Sequence, residues 1–150
     1  MIIEYNKNYI LNNTDDTNDF AVSFCKSINK PNVIALIGDL GSGKTLFTKA
    51  VCKYFGIEDE VTSPTFNIIK TYNICKNSKL KYINHFDLYR IKNEDELLDI
   101  GFDDYIYDQD SINIIEWADL IPNSLPKNTI YIYFKKDIND INKREVCIKC

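Results

Sequence analysis

The sequence predicts an α/β protein in which a mixed β-sheet and its helices form three layers. The continuous apolar run 33–37 has the length of a strand, and a glycine-rich segment and a helical stripe of apolar residues follow it. Such a run is typical of a central strand that is buried on both faces. The extended stretches 67–74 and 80–90 are joined by a short polar turn at 76–79, so we expect them to pair antiparallel.

A first helix is predicted upstream of the central strand. Residues 14–17 offer several possible N-caps. The apolar residues of its inner stripe are Phe20, Ala21, Phe24, Cys25 and Ile28. We expect Pro31 and Asn32 to end this helix. The helix after the central strand should end at Gly56, because glycine is a common C-terminal cap.

The second half of the chain supplies the remaining elements. Residues 93–100 predict a short helix that closes at Gly101. Residues 111–117 contain three isoleucines and predict another buried strand. The stretches 129–134 and 145–150 predict a terminal strand pair that is joined by a polar loop.

Length and composition limit the class of protein. The 150 residues suit a single domain, 1–150, that is too small to carry a second substrate domain. The net charge of −4 and the pI of about 5.0 argue against a surface built to bind nucleic acid directly. No apolar run approaches the roughly 20 residues of a membrane span, and the N-terminus lacks the features of a signal peptide. We expect a cytoplasmic protein without a membrane partner.

The five cysteines do not suggest a disulfide framework, because they are scattered and odd in number. Only Cys147 and Cys150 have a spacing that metal ligands use, and no second pair accompanies them. Zinc binding or redox chemistry is therefore disfavoured.

The most informative motif is the segment 38–45, which reads GDLGSGKT and matches the P-loop pattern G-x-x-x-x-G-K-[ST]. Its glycines let backbone N–H groups turn onto phosphate oxygens, Lys44 can reach the β and γ phosphates, and the Thr45 hydroxyl can ligate Mg²⁺. The motif predicts a P-loop NTPase-like fold that binds a nucleoside triphosphate. The residues expected to bind it here are Asp39, Leu40, Gly41, Ser42, Gly43, Lys44, Thr45 and Leu46.

Two acids are candidates to complete a Mg²⁺ and catalytic site. Glu116 directly follows the apolar strand, as in a Walker-B element, and a carboxylate there is costly to bury without a ligand. Asp87 lies late in the stretch 80–90, where alternation places it on one face with His85. The alternative for Asp87 is a solvated acid paired with Arg90.

Three further features have less specific interpretations. We expect His85, the single histidine, to be a hydrogen-bonded structural residue and not a base. Trp117 is either a core aromatic or a lid on the nucleotide or a partner. The segment 62–65, Thr-Ser-Pro-Thr, resembles a switch loop whose hydroxyls could sense a γ-phosphate, or it simply caps the next strand. No N-K-x-D guanine-reading motif is present, which favours ATP over GTP.

These motifs together resemble the TsaE (YjeE) family of bacterial P-loop ATPases. The shared strings are GDLGSGKT, SPTF, Tyr72, HFDLYR, the segment 94–101 and IIEW, in the family's order and approximate spacing. The resemblance spans about Thr17 to Arg144. The P-loop alone would not discriminate among NTPases, but the combination is specific.

The resemblance implies a role in forming N-threonylcarbamoyladenosine in tRNA. In that system one enzyme makes threonylcarbamoyl-adenylate, and TsaD working with TsaB transfers the carbamoyl group to tRNA. The TsaE-like ATPase binds the TsaB–TsaD dimer, and its hydrolysis of ATP resets the complex between turnovers. It would meet tRNA only indirectly.

The resemblance also implies roles for individual residues. Lys44 would bind the β and γ phosphates, and Thr45 would ligate Mg²⁺. Glu116 would orient or deprotonate the attacking water, and Asp87 would serve as a metal ligand or support one. Thr17 and Arg144 match family residues that would line the nucleotide, although an ordinary surface charge is the alternative for Arg144.

The chain departs from the family pattern at two positions. Leu46 stands where many relatives have a second threonine, and Lys143 replaces the usual glycine before Arg144. Two other functions remain open on the sequence: a small-molecule or nucleoside kinase, for which 150 residues leave little room, and a nucleotide-dependent binding module with negligible turnover.

Overall fold

The computed structural model describes residues 1–28, 32–75 and 78–150. Within them, seven strands form one sheet: β1 (Asn8–Leu11), β2 (Val33–Ile37), β3 (Ile69–Asn73), β4 (Tyr82–Asp87), β5 (Ser111–Glu116), β6 (Ile130–Lys136) and β7 (Arg144–Lys149). The helices are α1 (Thr14–Ser27), α2 (Lys44–Tyr54), α3 (Glu96–Asp99) and α4 (Phe102–Ile106), together with a short 3₁₀ helix at Ala118–Leu120.

The sheet is mixed, in the order β1-β7-β6-β2-β5-β4-β3. Its four central strands, β6, β2, β5 and β4, run parallel. The flanking pairs β1–β7, β6–β7 and β3–β4 are antiparallel. The predicted α/β fold with a mixed sheet is therefore confirmed, including the antiparallel pairing of β3 with β4.

Strand β2 is apolar throughout because both of its faces are covered. Ile34 and Leu36 pack into a core shared with α1 and α2 on one side. Val33 and Ala35 pack into a second core with α3, α4 and the 3₁₀ helix on the other. This alternation places helices above and below the sheet and accounts for the three layers.

The ends of α1 differ from the prediction. The N-cap is Asn13, one residue before the predicted segment, because its extended backbone lets the side chain accept a 2.9 Å hydrogen bond from the Asp16 amide. The helix ends at Ser27, and Ile28 is already extended. The prediction that Pro31 helps to end it lies outside the described residues, as do residues 76 and 77 of the predicted polar turn.

The extended prediction over 67–74 is slightly too long, since only Ile69–Asn73 forms a strand. The Ile68 amide donates to the Pro64 carbonyl, and Ile68 has a φ of 65°. This turn breaks the ladder before β3 begins. Similarly, β4 ends at Asp87 although the sequence suggested extended chain as far as Arg90.

Several shorter elements were missed or misplaced. The helix predicted over 93–100 is a single turn, α3, and α4 follows it without a prediction. Strand β1 was also missed, because four residues show their role only once β7 pairs with them. Strand β5 ends at Glu116, since Trp117 adopts a left-handed φ of 62°.

The described residues contain neither a membrane-spanning helix nor a disulfide bond. Among the described residues, no helix has the length and apolar character needed to cross a membrane. All five cysteines lie in the described part of the chain and carry free thiols.

Candidate functional site

The P-loop joins the carboxyl end of β2 to the first turn of α2. A Cβ at Gly38 would lie 2.4 Å from the Phe134 carbonyl oxygen, so only glycine fits where the loop leaves the sheet. Gly43 caps α2 with a φ of 109° and provides no side-chain cap. The first N–H groups of α2 are therefore left for an anion to bind. The buried Ser42 hydroxyl has no hydrogen-bond partner among the described residues, which also fits a phosphate at this loop.

Lys44 is buried at the base of this loop. Its ammonium donates to the carbonyl oxygens of Gly38 and, at 3.0 Å, of Asp39. It also lies 4.2 Å from the centre of the Trp117 ring. Burial lowers the pKa of Lys44, and the nearby carboxylates of Glu116 and Asp87 oppose that shift. A bound phosphate would add negative charge beside the ammonium and favour its charged form further.

Thr45 and Glu116 are joined by hydrogen bonds across the site. The Thr45 hydroxyl lies 2.9 Å from Oε1 and 3.0 Å from Oε2 of Glu116. Glu116 is 3% exposed, and it ends β5 as the Walker-B interpretation predicts. A threonine hydroxyl and a carboxylate at this distance are the protein groups that hold Mg²⁺ in P-loop NTPases.

Asp87 is brought beside Glu116 by the sheet register, since the two residues are opposite each other on the parallel strands β4 and β5. Asp87 is 4% exposed, so it is not a solvated acid. Its Oδ2 accepts hydrogen bonds from the Ser63 and Thr65 hydroxyls. The alternative pairing with Arg90 is wrong, because the Arg90 guanidinium stacks on the Phe66 ring at 4.5 Å.

The segment 62–65 is therefore attached to the site by its hydroxyls. Thr65 lies 3.0 Å from Asp87 and 3.1 Å from the Ser63 hydroxyl. An ion or water that binds the Asp87 carboxylate would therefore compete with the Ser63 and Thr65 hydroxyls. This arrangement is consistent with the switch-loop interpretation, which remains a prediction.

These groups surround a cavity of about 380 Å³. Residues 40–46 of the loop line one part of it, and the other lining residues are Ser63, Thr65, Asp87, Tyr89, Glu116 and Trp117. Tyr89 was not named as a site residue, although alternation over the predicted stretch 80–90 puts it on the face of Asp87. Its ring lies 5.0 Å from that of Trp117. Trp117 is half-buried and borders the cavity.

Asp39 and Thr17, which were also predicted to bind nucleotide, lie outside the cavity lining. Asp39 is an exposed residue of the loop itself, and its carbonyl accepts a hydrogen bond from Lys44. Thr17 is buried in the first turn of α1, where its hydroxyl donates to the Asn13 carbonyl at 3.3 Å. Contacts of these residues with a nucleotide remain predictions.

Arg144 braces the P-loop from the start of β7. Its Nε donates to the Ser42 carbonyl at 3.1 Å, and a terminal nitrogen donates to the Gly41 carbonyl at 3.2 Å. It is therefore more than an ordinary surface charge. The structure gives it a role in holding the shape of the loop, and a direct contact with the nucleotide remains a prediction.

The donor set fits Mg²⁺ held jointly with phosphate. Thr45, Asp87 and Glu116 present hard oxygen ligands. The described residues contain no cluster of three or more histidine, cysteine, aspartate or glutamate side chains arranged to hold a metal ion by themselves. Magnesium commonly binds through one or two carboxylates, with phosphate oxygens and water completing its shell.

Comparison with known proteins identifies the family. A family model described as "Threonylcarbamoyl adenosine biosynthesis protein TsaE" matches residues 11–146. The TsaE protein of Rickettsia bellii is 35% identical over 131 residues, covering 87% of each chain. That of Bacillus subtilis is 37% identical over 134 residues, covering 89% of this chain and 79% of the relative.

A solved structure agrees in both fold and sequence. The crystal structure of Bacillus subtilis YdiB superposes with a TM-score of 0.72 at 31% identity, covering 93% of this chain and 82% of that one. Sequence and fold thus match over most of the chain, and the family model spans all the residues that line the cavity. The protein therefore belongs to the TsaE family, whose role is in tRNA threonylcarbamoyladenosine biosynthesis.

Proposed function

We propose that this chain binds ATP with Mg²⁺ in the P-loop cavity and hydrolyses it as an accessory ATPase of threonylcarbamoyladenosine biosynthesis. The observation that carries the proposal is the convergence of Thr45, Asp87 and Glu116 beside Lys44. One cavity thus combines an ammonium for phosphate with hydroxyl and carboxylate oxygens for a cation and a water.

The residues divide the chemistry among them. The ammonium of Lys44 and the free N–H groups of α2 bind the β and γ phosphates. Thr45 and Asp87 provide oxygens to Mg²⁺, which on binding would offset charge on the phosphates. Glu116 orients the attacking water and accepts its proton at the carboxylate.

We also propose that the TsaB–TsaD dimer docks beside the cavity. Three exposed apolar side chains, Leu40, Phe66 and Tyr89, lie in or next to the segments that line it. A partner on this surface would touch the loops that bind nucleotide, which supports coupling between docking and hydrolysis. The net charge of −4 supports an indirect relation to tRNA through that partner.

The central experiment measures phosphate release from Mg²⁺-ATP by the chain alone, with the TsaB–TsaD dimer, and with candidate nucleoside acceptors. We expect slow hydrolysis alone and stimulation by the dimer, with no phosphorylated acceptor. Lys44→Ala is the negative control. Phosphorylated acceptor without dependence on the dimer would instead identify a kinase, and nucleotide binding without turnover under any condition would identify a binding module.

Base preference is tested separately. We expect ATP to displace a bound fluorescent ATP analogue more effectively than GTP does, since the chain lacks a guanine-reading motif. Equal displacement by both nucleotides would contradict the assignment of ATP.

A further inference from the structure

A buried histidine lies directly behind the proposed catalytic acid. His85 is 0% exposed, and its Nε2 is 2.8 Å from Oε1 of Glu116. In the parallel register of β4 and β5, His85 is opposite Ile114, two residues before Glu116. Its side chain therefore reaches diagonally across the strands to the carboxylate from beneath the cavity floor.

The hydrogen bond identifies which ring nitrogen carries the proton. An ionised carboxylate only accepts hydrogen bonds, so Nε2 of His85 must be the donor to Glu116. Nδ1 is buried and has no hydrogen-bond partner among the described residues. A proton on Nδ1 would be a buried donor without an acceptor, so the arrangement favours a proton on Nε2 over one on Nδ1.

This donor constrains the orientation of Glu116. Oε1 receives both His85 and Thr45, whereas Oε2 has only Thr45 as a partner in the described part of the chain. Rotation of the carboxylate would break the bond to His85. The bond thus leaves Oε2 as the oxygen with the greater spare acceptor capacity.

We propose that His85 is a positioning residue that holds Glu116 with Oε2 turned toward the attacking water. The inference rests on the proposed ATPase function. It assigns His85 no contact with nucleotide or metal, because the histidine acts only through Glu116. Its loss should therefore reduce turnover and leave nucleotide affinity largely unchanged.

Packing alone does not account for a histidine at this place. An apolar side chain would fill the same buried volume without leaving Nδ1 unpaired. The adjacent polar residue Asn84, in contrast, bonds through both ends of its amide, to Thr71 at 2.8 Å and to Asn113 at 3.0 Å. His85 bonds through one ring nitrogen only, Nε2 to Glu116, and leaves Nδ1 unpaired among the described residues.

The first test compares two substitutions by the kinetics of dimer-stimulated hydrolysis. His85→Phe keeps the ring volume and removes the donor, whereas His85→Gln keeps an N–H donor at similar reach. We expect His85→Phe to lower kcat by about 10–100-fold with nearly unchanged KM, and His85→Gln to restore most of the loss. Equal losses in both variants, no loss in either, or a rise in KM alone would overturn the proposal.

The second test uses the unmodified protein and does not depend on hydrolysis. Because His85 is the only histidine, ¹⁵N-histidine labelling gives one imidazole whose nitrogen shifts report its tautomer by NMR. In the nucleotide-free protein we expect the Nε2–H form and a signal that changes on addition of Mg²⁺-ATP. An Nδ1–H form, which has no donor on Nε2, would overturn the pairing with Glu116.

The two tests separate this inference from the function on which it rests. Absence of stimulated hydrolysis in the unmodified protein would refute the ATPase proposal, whatever the tautomer. With hydrolysis established, the kinetic comparison and the imidazole signal decide the role of His85.

Discussion

At the scale of single residues, Lys44 and Glu116 both face the cavity, but in the proposed function their charges serve different steps. The ammonium is buried among carbonyl oxygens and beside the Trp117 ring, where phosphate oxygens would find it desolvated. The Glu116 carboxylate is held by Thr45 and His85. We therefore assign Lys44 to binding and Glu116 to turnover.

This division predicts different effects of two alanine substitutions. Lys44→Ala should weaken binding of Mg²⁺-ATP by about 10–100-fold, since a hydrogen bond to a charged group contributes about 1.5–3 kcal/mol. Glu116→Ala should leave the Kd nearly unchanged and abolish stimulated hydrolysis. Calorimetric titration and phosphate release measure the two properties.

Lys49→Ala is the matched control, because Lys49 is an exposed lysine on the same helix, α2. It should behave as the unmodified protein in both assays. Equal loss of nucleotide binding in Lys44→Ala and Glu116→Ala would contradict the role given to Glu116.

At the scale of elements, the site depends on how β4, β5 and the segment 62–65 are joined. The parallel register sets Asp87 beside Glu116, and the hydroxyls of Ser63 and Thr65 bind the Asp87 carboxylate. A loop without regular secondary structure is thereby attached to the end of a central strand. Its position depends on two side-chain hydrogen bonds and on the buried Pro64.

The double substitution Ser63→Ala with Thr65→Val should loosen this loop. It leaves Asp87 Oδ2 buried without these two donors, at a cost of about 1–3 kcal/mol in the free energy of unfolding. Urea denaturation measures that loss, and hydrogen exchange of the Ile68 amide, which donates to the Pro64 carbonyl, should accelerate.

Thr62→Ala serves as the control for this loop, since Thr62 is an exposed hydroxyl residue of the same segment. It should change neither the unfolding free energy nor the exchange rate appreciably. If the double variant matched Thr62→Ala, the bonds to Asp87 would not be what holds the loop.

At the scale of the whole molecule, the core between the sheet and helices α1 and α2 contains two thiols, Cys25 and Cys52. Burial raises the pKa of each from 9.0 to about 12, and for Cys25 the proximity of Cys52 adds to the shift. Between pH 9 and about pH 12 these two thiols are deprotonated in the unfolded chain but remain protonated in the folded protein. The stability that they contribute is complete below pH 9 and is lost progressively as the pH rises toward 12.

We therefore expect alkaline destabilisation that depends on these thiols. From about pH 8 to about pH 10 the free energy of unfolding should fall by about 1.4 kcal/mol for each thiol. The variant Cys25→Ala with Cys52→Ala should start less stable, because two buried side chains are shortened, but its stability should decline less steeply with pH. Parallel pH profiles from denaturant unfolding would contradict the assignment, since the other titrating groups cancel in the comparison.

Local patterns were sufficient for the central strand, the P-loop, α2 and Glu116. Each depends on residues that are close in sequence: the apolar run 33–37, the glycines that follow it, and an acid at the end of strand 111–116. The weaker predictions were those in which several local structures compete. Residues 62–65 allowed two interpretations, a switch loop or a cap of the next strand, because the acceptor of the Ser63 and Thr65 hydroxyls, Asp87, is distant in sequence.

The sequence by itself thus determined that the chain has a P-loop motif between a buried strand and a helix, because those signals are local. The tertiary structure decided which distant groups meet that loop. It placed Asp87 next to Glu116, His85 behind the carboxylate, and the Arg144 guanidinium on the carbonyls of Gly41 and Ser42. These contacts depend on strand order and register, which are set by packing over the whole sheet and not by any short stretch of sequence.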